Sequence, residues 1–329
     1  MTRRAAVVGC GFIGAGVVVP GSGVQSHAAA WSHHPGTELV GLADIDAHRL
    51  AEAGRRWGVT ALFDSIDRLL DTTAPEIVSV STPDPTHATV LDRVLDAPSV
   101  RAVLMEKPLA LELDQAQALV RKAERRGVIL AVNYARRYAP SHQHLRRWLA
   151  AEPLGSIELV RGSYGRGLKH NGTHWIDLVR FLIGEIATVR GFGAVDPGAA
   201  DSTIDVEFGF ESGARGMLHG LREAPYSLFE LDILGPKGRA RIIDGGQRVE
   251  VFMVAASRRF PGFRELIPAV GPSGGLGDLL MHAASDVVES LTTGREPAGT
   301  GADAVAALGW AVAALGDAAR RDGHVLVAR

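Results

Sequence analysis

The sequence predicts an α/β protein in two parts: an N-terminal doubly wound domain, residues 1–130, and a C-terminal α+β domain, residues 131–329, built on a large, mostly antiparallel open sheet. Three observations predict it. Apolar strand-length runs alternate with helical patterns from residue 5 to 130, the rhythm of a parallel sheet with crossover helices. After Pro153 the rhythm changes to successive strand-length segments, separated by turns such as Glu211-Ser-Gly213 and Gly235-Pro-Lys-Gly238. The length of 329 residues also exceeds what one hydrophobic core ordinarily organises.

Ala5-Ala-Val-Val8 is wholly apolar, as befits a strand buried on both faces. Gly9-Cys-Gly11-Phe-Ile-Gly14 follows at once. The first glycine permits a tight turn, the second lets backbone approach a pyrophosphate, and the third lets helix pack on strand. Phe12 and Ile13 complete this cofactor-binding segment. Val17-Val-Val-Pro20-Gly-Ser-Gly23 must interrupt the helix, and Ser26 to Trp31 resumes it. Asp44 ends the second strand, Glu38 to Ala43, where an acid accepts the adenine-ribose hydroxyls of NAD and repels the 2′-phosphate of NADP. NAD is therefore preferred, with NADP the alternative. Asp44 stands thirty residues beyond Gly14, against roughly twenty in the simple motif; the interruption accounts for the excess.

Ile77-Val-Ser-Val80 and Ala102-Val-Leu-Met105 are the next buried strands. Ligands of open α/β sheets bind beyond the carboxyl ends of strands. Thr82, Pro83 and His87 after the first strand, and Glu106 and Lys107 after the second, are thus assigned to the cofactor crevice, His87 chiefly as a residue that orients its loop. Lys107, fixed by Pro108, is a candidate catalytic group; its strand-end position argues against an ordinary solvated lysine. Val128 to Val132 ends in Asn133, Tyr134 and Arg137, polar groups placed to meet a polyhydroxylated substrate. This strand–helix alternation is that of a Rossmann domain.

In the second half, strands are expected at Ile157–Tyr164, Val189–Val195, Ser202–Phe210, Ala214–Leu221, Tyr226–Leu234, Arg239–Ile243 and Arg248–Val254. Helices Leu279–Leu291 and Ala302–Arg321 are expected to pack on that sheet, and Phe260–Gly277 to form a loop. The stretch His170-Asn171-Gly172-Thr173-His174-Trp175-Ile176-Asp177 opens an apolar helix that Gly184 stops. His174 and Asp177 are three apart, hence neighbours on a helix, and a histidine beside a carboxylate is a proton-transfer device. His170, Asn171 and Thr173 at the helix mouth are assigned to substrate with them. A capped helix with a satisfied surface histidine is the bland alternative for the octet alone. His170 and His174 have the spacing of a zinc pair, but no third ligand is evident and no metal is expected. Arg161, Arg166 and Lys169 put three cations within nine residues, either a diphosphate site or a solvated strand edge.

The bulk properties narrow the classes. A net charge of -2 gives no electrostatic case for nucleic acid or anionic membrane. Cys10 is the single cysteine, which suits a reducing compartment. The first strand leaves no room for a signal sequence, and no apolar run of the roughly 18 residues needed for a membrane span is read. A cytoplasmic protein is expected.

Taken together these residues resemble the Gfo/Idh/MocA family, the relatives of glucose–fructose oxidoreductase and inositol dehydrogenase. The resemblance comprises Gly9-x-Gly11-x-x-Gly14, Asp44, Thr82-Pro83 with His87, Glu106-Lys107-Pro108, Asn133 to Pro140, Gly172-x-His174-x-x-Asp177 and Thr293-Gly294-Arg295-Glu296-Pro297. It implies NAD(P)-dependent hydride transfer with a secondary alcohol or ketone of a sugar, cyclitol or nucleotide sugar. It further implies a lysine that polarises the reacting oxygen, a cis proline after it, a histidine acid/base, and a homodimer or homotetramer formed through the C-terminal sheet. One position departs: many inositol-dehydrogenase-like members carry Asp where this chain has His170. A dinucleotide-dependent sensor without chemistry is the alternative on the same fold; retention of both Lys107 and His174 argues against it.

Overall fold

The computed structural model describes residues 2–16, 23–196, 199, 201–223, 226 and 228–322. Most of the expected Val17–Gly23 interruption lies outside them. The chain divides into two compact units, Met1–Tyr138 with Gly277–Val305, and Ala139–Leu276 with Ala306–Arg329. The first unit is thus longer than residues 1–130 and takes back a segment from the far end of the sequence. The reason is packing: the turn at 135–138 and the later segment both belong to the core of the parallel sheet.

The first unit opens with β1 (Arg3–Val8), α1 (Phe12–Ala15), α2 (His27–His33) and β2 (Thr37–Ala43). It continues through α3 (Ala47–Trp57), β3 (Leu62–Phe63), α4 (Ile66–Thr73), β4 (Ile77–Val80) and α5 (His87–Asp96). It closes with β5 (Ala102–Met105), α6 (Leu113–Arg126) and β6 (Ile129–Val132). The six strands lie in the order β3-β2-β1-β4-β5-β6. Every pairing is parallel. Val8 stands opposite both Ala43 and Val80, Val80 opposite Met105, and Met105 opposite Val132. The carboxyl ends therefore share one edge, and the strand order reverses at β1, the switch point where such sheets bind ligands.

Helix α2 starts where Ser26 accepts the Ala29 N–H, and it buries Ala28 to Trp31 in the core. That core is completed from the C-terminal half by α9 (Leu279–Thr293), through Leu280, Ala283, Ala284 and Val287, although the sequence placed this helix on the antiparallel sheet. The edge of β6 is also covered: Val132 N–H donates to the Gly299 carbonyl, and Ala131 bridges Thr300.

The second unit contains α7 (Pro140–Ala150), β7 (Leu159–Gly165), α8 (Thr173–Ile183), β8 (Ile186–Phe192), β9 (Asp205–Phe210) and β10 (Arg215–Leu221). After these come β11 (Phe229–Gly235), β12 (Gly238–Ile243), β13 (Arg248–Ala256) and β14 (Arg264–Ala269). Its eight-stranded sheet has the order β14-β13-β12-β11-β7-β10-β9-β8, antiparallel except where β7 meets β10. Strand β14 falls inside the stretch expected to be loop. It is an edge strand, and its Pro268 is tolerated there because one side of an edge needs no ladder donor.

On β7 the alternation is clear: Val160, Gly162 and Tyr164 are buried beneath α8, while Arg161 faces the other way and pairs with Asp232 at 3.2 Å. Trp175 of α8 stacks on Phe208 with ring centroids 5.6 Å apart and seats its indole over Gly162. The last helix, α10 (Gly301–Asp322), corrects another expectation, since Gly301–Arg321 is long and apolar enough by length and composition to cross a membrane. Its buried Ala311, Ala314 and Ala318 lie on one face, where Gly191 of β8 packs directly on Ala314 and donates its N–H to Asp317.

A methyl group at Gly162 would lie 1.9 Å from the Trp175 indole nitrogen and 2.4 Å from the Glu230 carbonyl oxygen. Gly162→Ala is expected to destabilise the second unit by about 1–3 kcal/mol, read as a lower denaturant midpoint in equilibrium unfolding.

Candidate active site and cofactor edge

The glycine turn behaves residue by residue as its spacing requires. Gly9 has φ +95°, and a Cβ there would strike the Ser81 carbonyl group at 2.6 Å. A Cβ at Gly14 would meet the Gly9 carbonyl oxygen at 1.8 Å. At Gly11 it would meet nothing within 4 Å. The first and third glycines are therefore demanded by packing, while the second leaves its backbone bare. Phe12 and Ile13, beside it, are exposed. A bare amide turn at the switch point, with apolar surface next to it, fits a dinucleotide pyrophosphate and the rings it carries.

Asp44 caps the same edge. Its Oδ2 accepts the Cys10 N–H at 2.6 Å and its Oδ1 accepts the Asp46 N–H at 2.8 Å, which aims the carboxylate along the glycine turn. A carboxylate has about four acceptor positions, so lone pairs remain for ribose hydroxyls. Cys10 lies inside this turn, and burial, reinforced by the Asp44 charge, pushes its thiol up to about 12. It is held as a neutral thiol and does no chemistry here.

Beyond β4, Ser81 donates to the Gly9 carbonyl at 2.9 Å and so ties two strand ends together. Thr82 and Pro83 follow it on the edge. His87 was expected in the cofactor crevice, but it is buried at 1% exposure, with its ring nitrogens 2.6 Å from the Pro108 carbonyl oxygen and 2.7 Å from that of Thr82. It fastens the loop after β4 to the loop after β5, which is the orienting role also foreseen for it. The Lys107–Pro108 peptide bond is cis.

Glu106 and Lys107 stand at the end of β5. Glu106 Oε1 lies 3.0 Å from His27 Nε2 and accepts the Asn133 amide at 2.6 Å. Burial works to raise the Glu106 carboxyl, but the His27 hydrogen bond, the His27 charge, Asn133 and Lys107 together hold it below the usual range. Asn133 thus supports Glu106, while its Oδ1 is buried with no partner among the described residues, an acceptor left for a bound donor. Tyr134 and Arg137 fare differently from expectation. Tyr134 is 2% exposed, and Arg137 donates to the Ala298 carbonyl and pairs with Asp303, both at 3.0 Å. These two side chains build the core and tie the 135–138 turn to the start of α10.

In the second unit, α8 is preceded by a π-helical turn, Leu168–Gly172. Such irregular turns recur at functional sites because they re-aim side chains. His174 is half-buried in the first turn of α8, Asp177 is buried three residues on, and His170 is exposed. Thr173, placed with the substrate by its sequence position, is buried and donates to the Lys169 carbonyl at 2.7 Å, an internal brace of the turn. The Asn171 amide likewise donates to the Gly165 carbonyl. Arg161 faces the opposite side of the sheet from α8 and pairs with Asp232, which fits the solvated strand edge, the second of the two readings of these cations.

Four participants were missed. His27 hides in an alanine run, and Ser79 is the one polar residue of an apolar strand; that polarity was the available signal. Ser81 carried none. Asp201, distant in sequence, accepts the Lys169 and His170 N–H groups at 3.0 and 2.9 Å, bringing a carboxylate to the loop that has His170 in place of aspartate. Gly167, with φ +87°, is required there, because a Cβ would lie 2.0 Å from Asp201 Oδ2.

A parallel sheet with a bare glycine turn and a strand-end acid defines a dinucleotide-binding Rossmann unit. Comparison with known proteins agrees. Residues 3–134 match the family described as oxidoreductase, NAD-binding Rossmann fold, and residues 142–241 match the GFO/IDH/MocA C-terminal domain. The chain belongs to the Gfo/Idh/MocA family of oxidoreductases with an NAD-binding Rossmann fold. It is 28% identical over 268 residues to D-apiose dehydrogenase of Paraburkholderia graminis, covering 73% of this chain and 67% of that protein. It is 27% identical over 227 residues to scyllo-inositol 2-dehydrogenase (NAD(+)) of Bacillus subtilis, covering 62% and 66%. The matches thus span about two thirds of these relatives. The fold matches an Agrobacterium radiobacter oxidoreductase solved with NAD+, L-tartaric acid and magnesium, with a TM-score of 0.77, 20% identity and 97% of each chain covered.

The glycine geometry separates two kinds of damage. Gly11→Ala should leave the melting temperature within experimental error, yet weaken NADH about tenfold or more, a change of about 1.4 kcal/mol. Gly14→Ala should lower both stability and binding. Calorimetry of the two variants beside an NADH titration checks this.

Proposed function

We propose that this protein reversibly transfers hydride between NAD and a secondary alcohol of a free sugar or cyclitol. The observation that carries the reading is the gathering of the Gly9–Gly14 turn, Asp44 and Lys107 on one sheet edge, in a chain whose α8 opens on His174 with Asp177 buried behind it. When bound, NAD supplies the hydride acceptor. The Gly11 amide region receives the pyrophosphate, Asp44 the adenine ribose, and Glu106 with Asn133 the nicotinamide end. Lys107 stabilises the alkoxide that develops as hydride leaves the carbinol carbon. His174 takes the hydroxyl proton, with Asp177 as the carboxylate that steadies it. His170, being exposed, is placed to contribute a substrate hydrogen bond.

Free polyols are favoured over nucleotide sugars because Arg161 is engaged with Asp232 on the far sheet face. A cytoplasmic homo-oligomer is proposed as well. The edge strand β14 carries exposed Leu266 and Ile267, with Phe260 and Phe263 exposed before it, apolar surface that a second copy would cover. A sensor that binds NAD without chemistry would show tight cofactor binding and behave the same after Lys107→Ala and His174→Ala.

Two measurements test the assignment. Asp44→Ala should narrow the preference for NAD over NADP, mainly by weakening NAD; wild-type efficiency higher with NADP would place the ribose site elsewhere. In a pH–rate series, His174→Ala should lose about 10² to 10⁴ in rate along with the histidine titration. Lys107→Ala should lose rate but keep that titration. A flat profile in Lys107→Ala, with a raised KM alone in His174→Ala, would exchange the two roles.

A further inference from the structure

A buried chain of polar groups runs behind the strand-end carboxylate of the first unit. Trp31 Nε1 lies 2.7 Å from Ser79 Oγ, Ser79 Oγ lies 2.9 Å from His27 Nδ1, and His27 Nε2 lies 3.0 Å from Glu106 Oε1. Trp31, His27 and Ser79 are all wholly buried. The direction of each bond follows from chemistry. An indole nitrogen only donates, so Ser79 Oγ accepts from Trp31. The serine has one proton, and His27 Nδ1 is the acceptor within its reach. Nδ1 then carries no hydrogen, so the proton of the ring sits on Nε2 and points at Glu106. The indole thereby dictates, through two relays, which nitrogen of His27 donates.

The donor has a consequence at the carboxylate. His27 and Asn133 both bind Oε1, whereas Oε2 has no hydrogen-bond partner among the described residues, and the Glu106 side chain is 15% exposed. One oxygen is anchored by two donors and the other is left to accept. We infer that His27 is a positioning residue of the cofactor site, which holds Glu106 charged and oriented so that Oε2 accepts a hydroxyl donor, the nicotinamide-side ribose of NAD. The inference rests on the cofactor reading above and assigns His27 no contact with substrate.

Among the described residues, few titratable or charged groups face Glu106. They are His27 from α2 and Lys107 from its own loop. Strand β4 contributes the neutral Ser79 and the end of β6 the neutral Asn133. Helix α9 packs here with apolar Leu280, Ala283, Ala284 and Val287. Burial alone would raise the Glu106 carboxyl, and the His27 hydrogen bond leads the effects that lower it. Without that donor the carboxylate takes up its proton at higher pH, and acceptor function is lost earlier as pH falls.

The test is NADH affinity, followed by nicotinamide fluorescence from pH 5 to 8, with melting curves for each variant. Glutamine places an amide donor where histidine has Nε2, whereas asparagine reaches only as far as Nδ1. His27→Gln should therefore bind NADH within about twofold of wild type at every pH. His27→Asn should bind about tenfold more weakly near pH 6, with its acid limb displaced upward by about one pH unit. If His27→Asn does not fold, Ser79→Ala, which releases the tautomer, should displace the limb in the same direction by less. An acid limb that stays at its wild-type position in the folded variants, with any loss of affinity uniform across pH and tracking melting temperature, would reduce His27 to packing and overturn the inference. Failure of the wild-type chain to bind NADH at any pH would instead sink the cofactor reading, and the inference with it.

Discussion

Parallel strands cannot be joined by a tight turn; each return needs a crossover, and the crossover is right-handed. The chemistry of the first unit depends on that constraint. Because β1, β2, β4, β5 and β6 all run the same way, residues 9, 44, 82, 107 and 133, far apart in sequence, arrive on one edge. Packing then decides which backbone may be bare. Gly9 and Gly14 vanish into contacts with Ser81 and with each other, and Gly11 alone is left with open space above it.

The same edge must hold a carboxylate and an ammonium out of bulk water, which is costly unless each is paired or hydrogen-bonded. Glu106 meets the requirement through hydrogen-bond donors drawn from α2 and from the end of β6 as well as through the charge of Lys107. Both donors bind Oε1, so the carboxylate is held in place without its second oxygen being used. In the second unit a comparable device operates on backbone: Asp201 collects two amides of the π turn, and Thr173 braces it from within. Both sites are built by distant residues that hold a local loop.

How much of this was legible follows the range of the interactions involved. The places of the glycine turn, Asp44, Lys107 and the octet around His174 in the fold were readable because each obeys a local rule of turn geometry, strand end or helix spacing. Seven of the eight strands of the second sheet were recognisable by length and turn spacing; β14 was not, because Pro268 and flanking glycines mimic a loop and only edge position makes them harmless. The destination of α9 was misread, since an apolar helix face does not say which sheet it will cover. Tyr134 and Arg137 look like ligand contacts until residues 298–303 are brought beside them. Asp201 was invisible for the same reason, lying some thirty residues from the amides it binds.

The return of Gly277–Val305 to the first unit has a consequence for the order in which the molecule can be made. On a ribosome the parallel sheet emerges early, but the helix that covers Trp31, Leu104 and Ala131 is translated only after the whole of the intervening 139–276 segment. At roughly 5–20 residues per second that interval is about seven to thirty seconds. Throughout it, the nascent sheet carries an uncovered apolar flank and an unpaired β6 edge. Synthesis thus sets a window in which the half-made protein depends on its surroundings, holdase chaperones among them, to keep that flank from other chains.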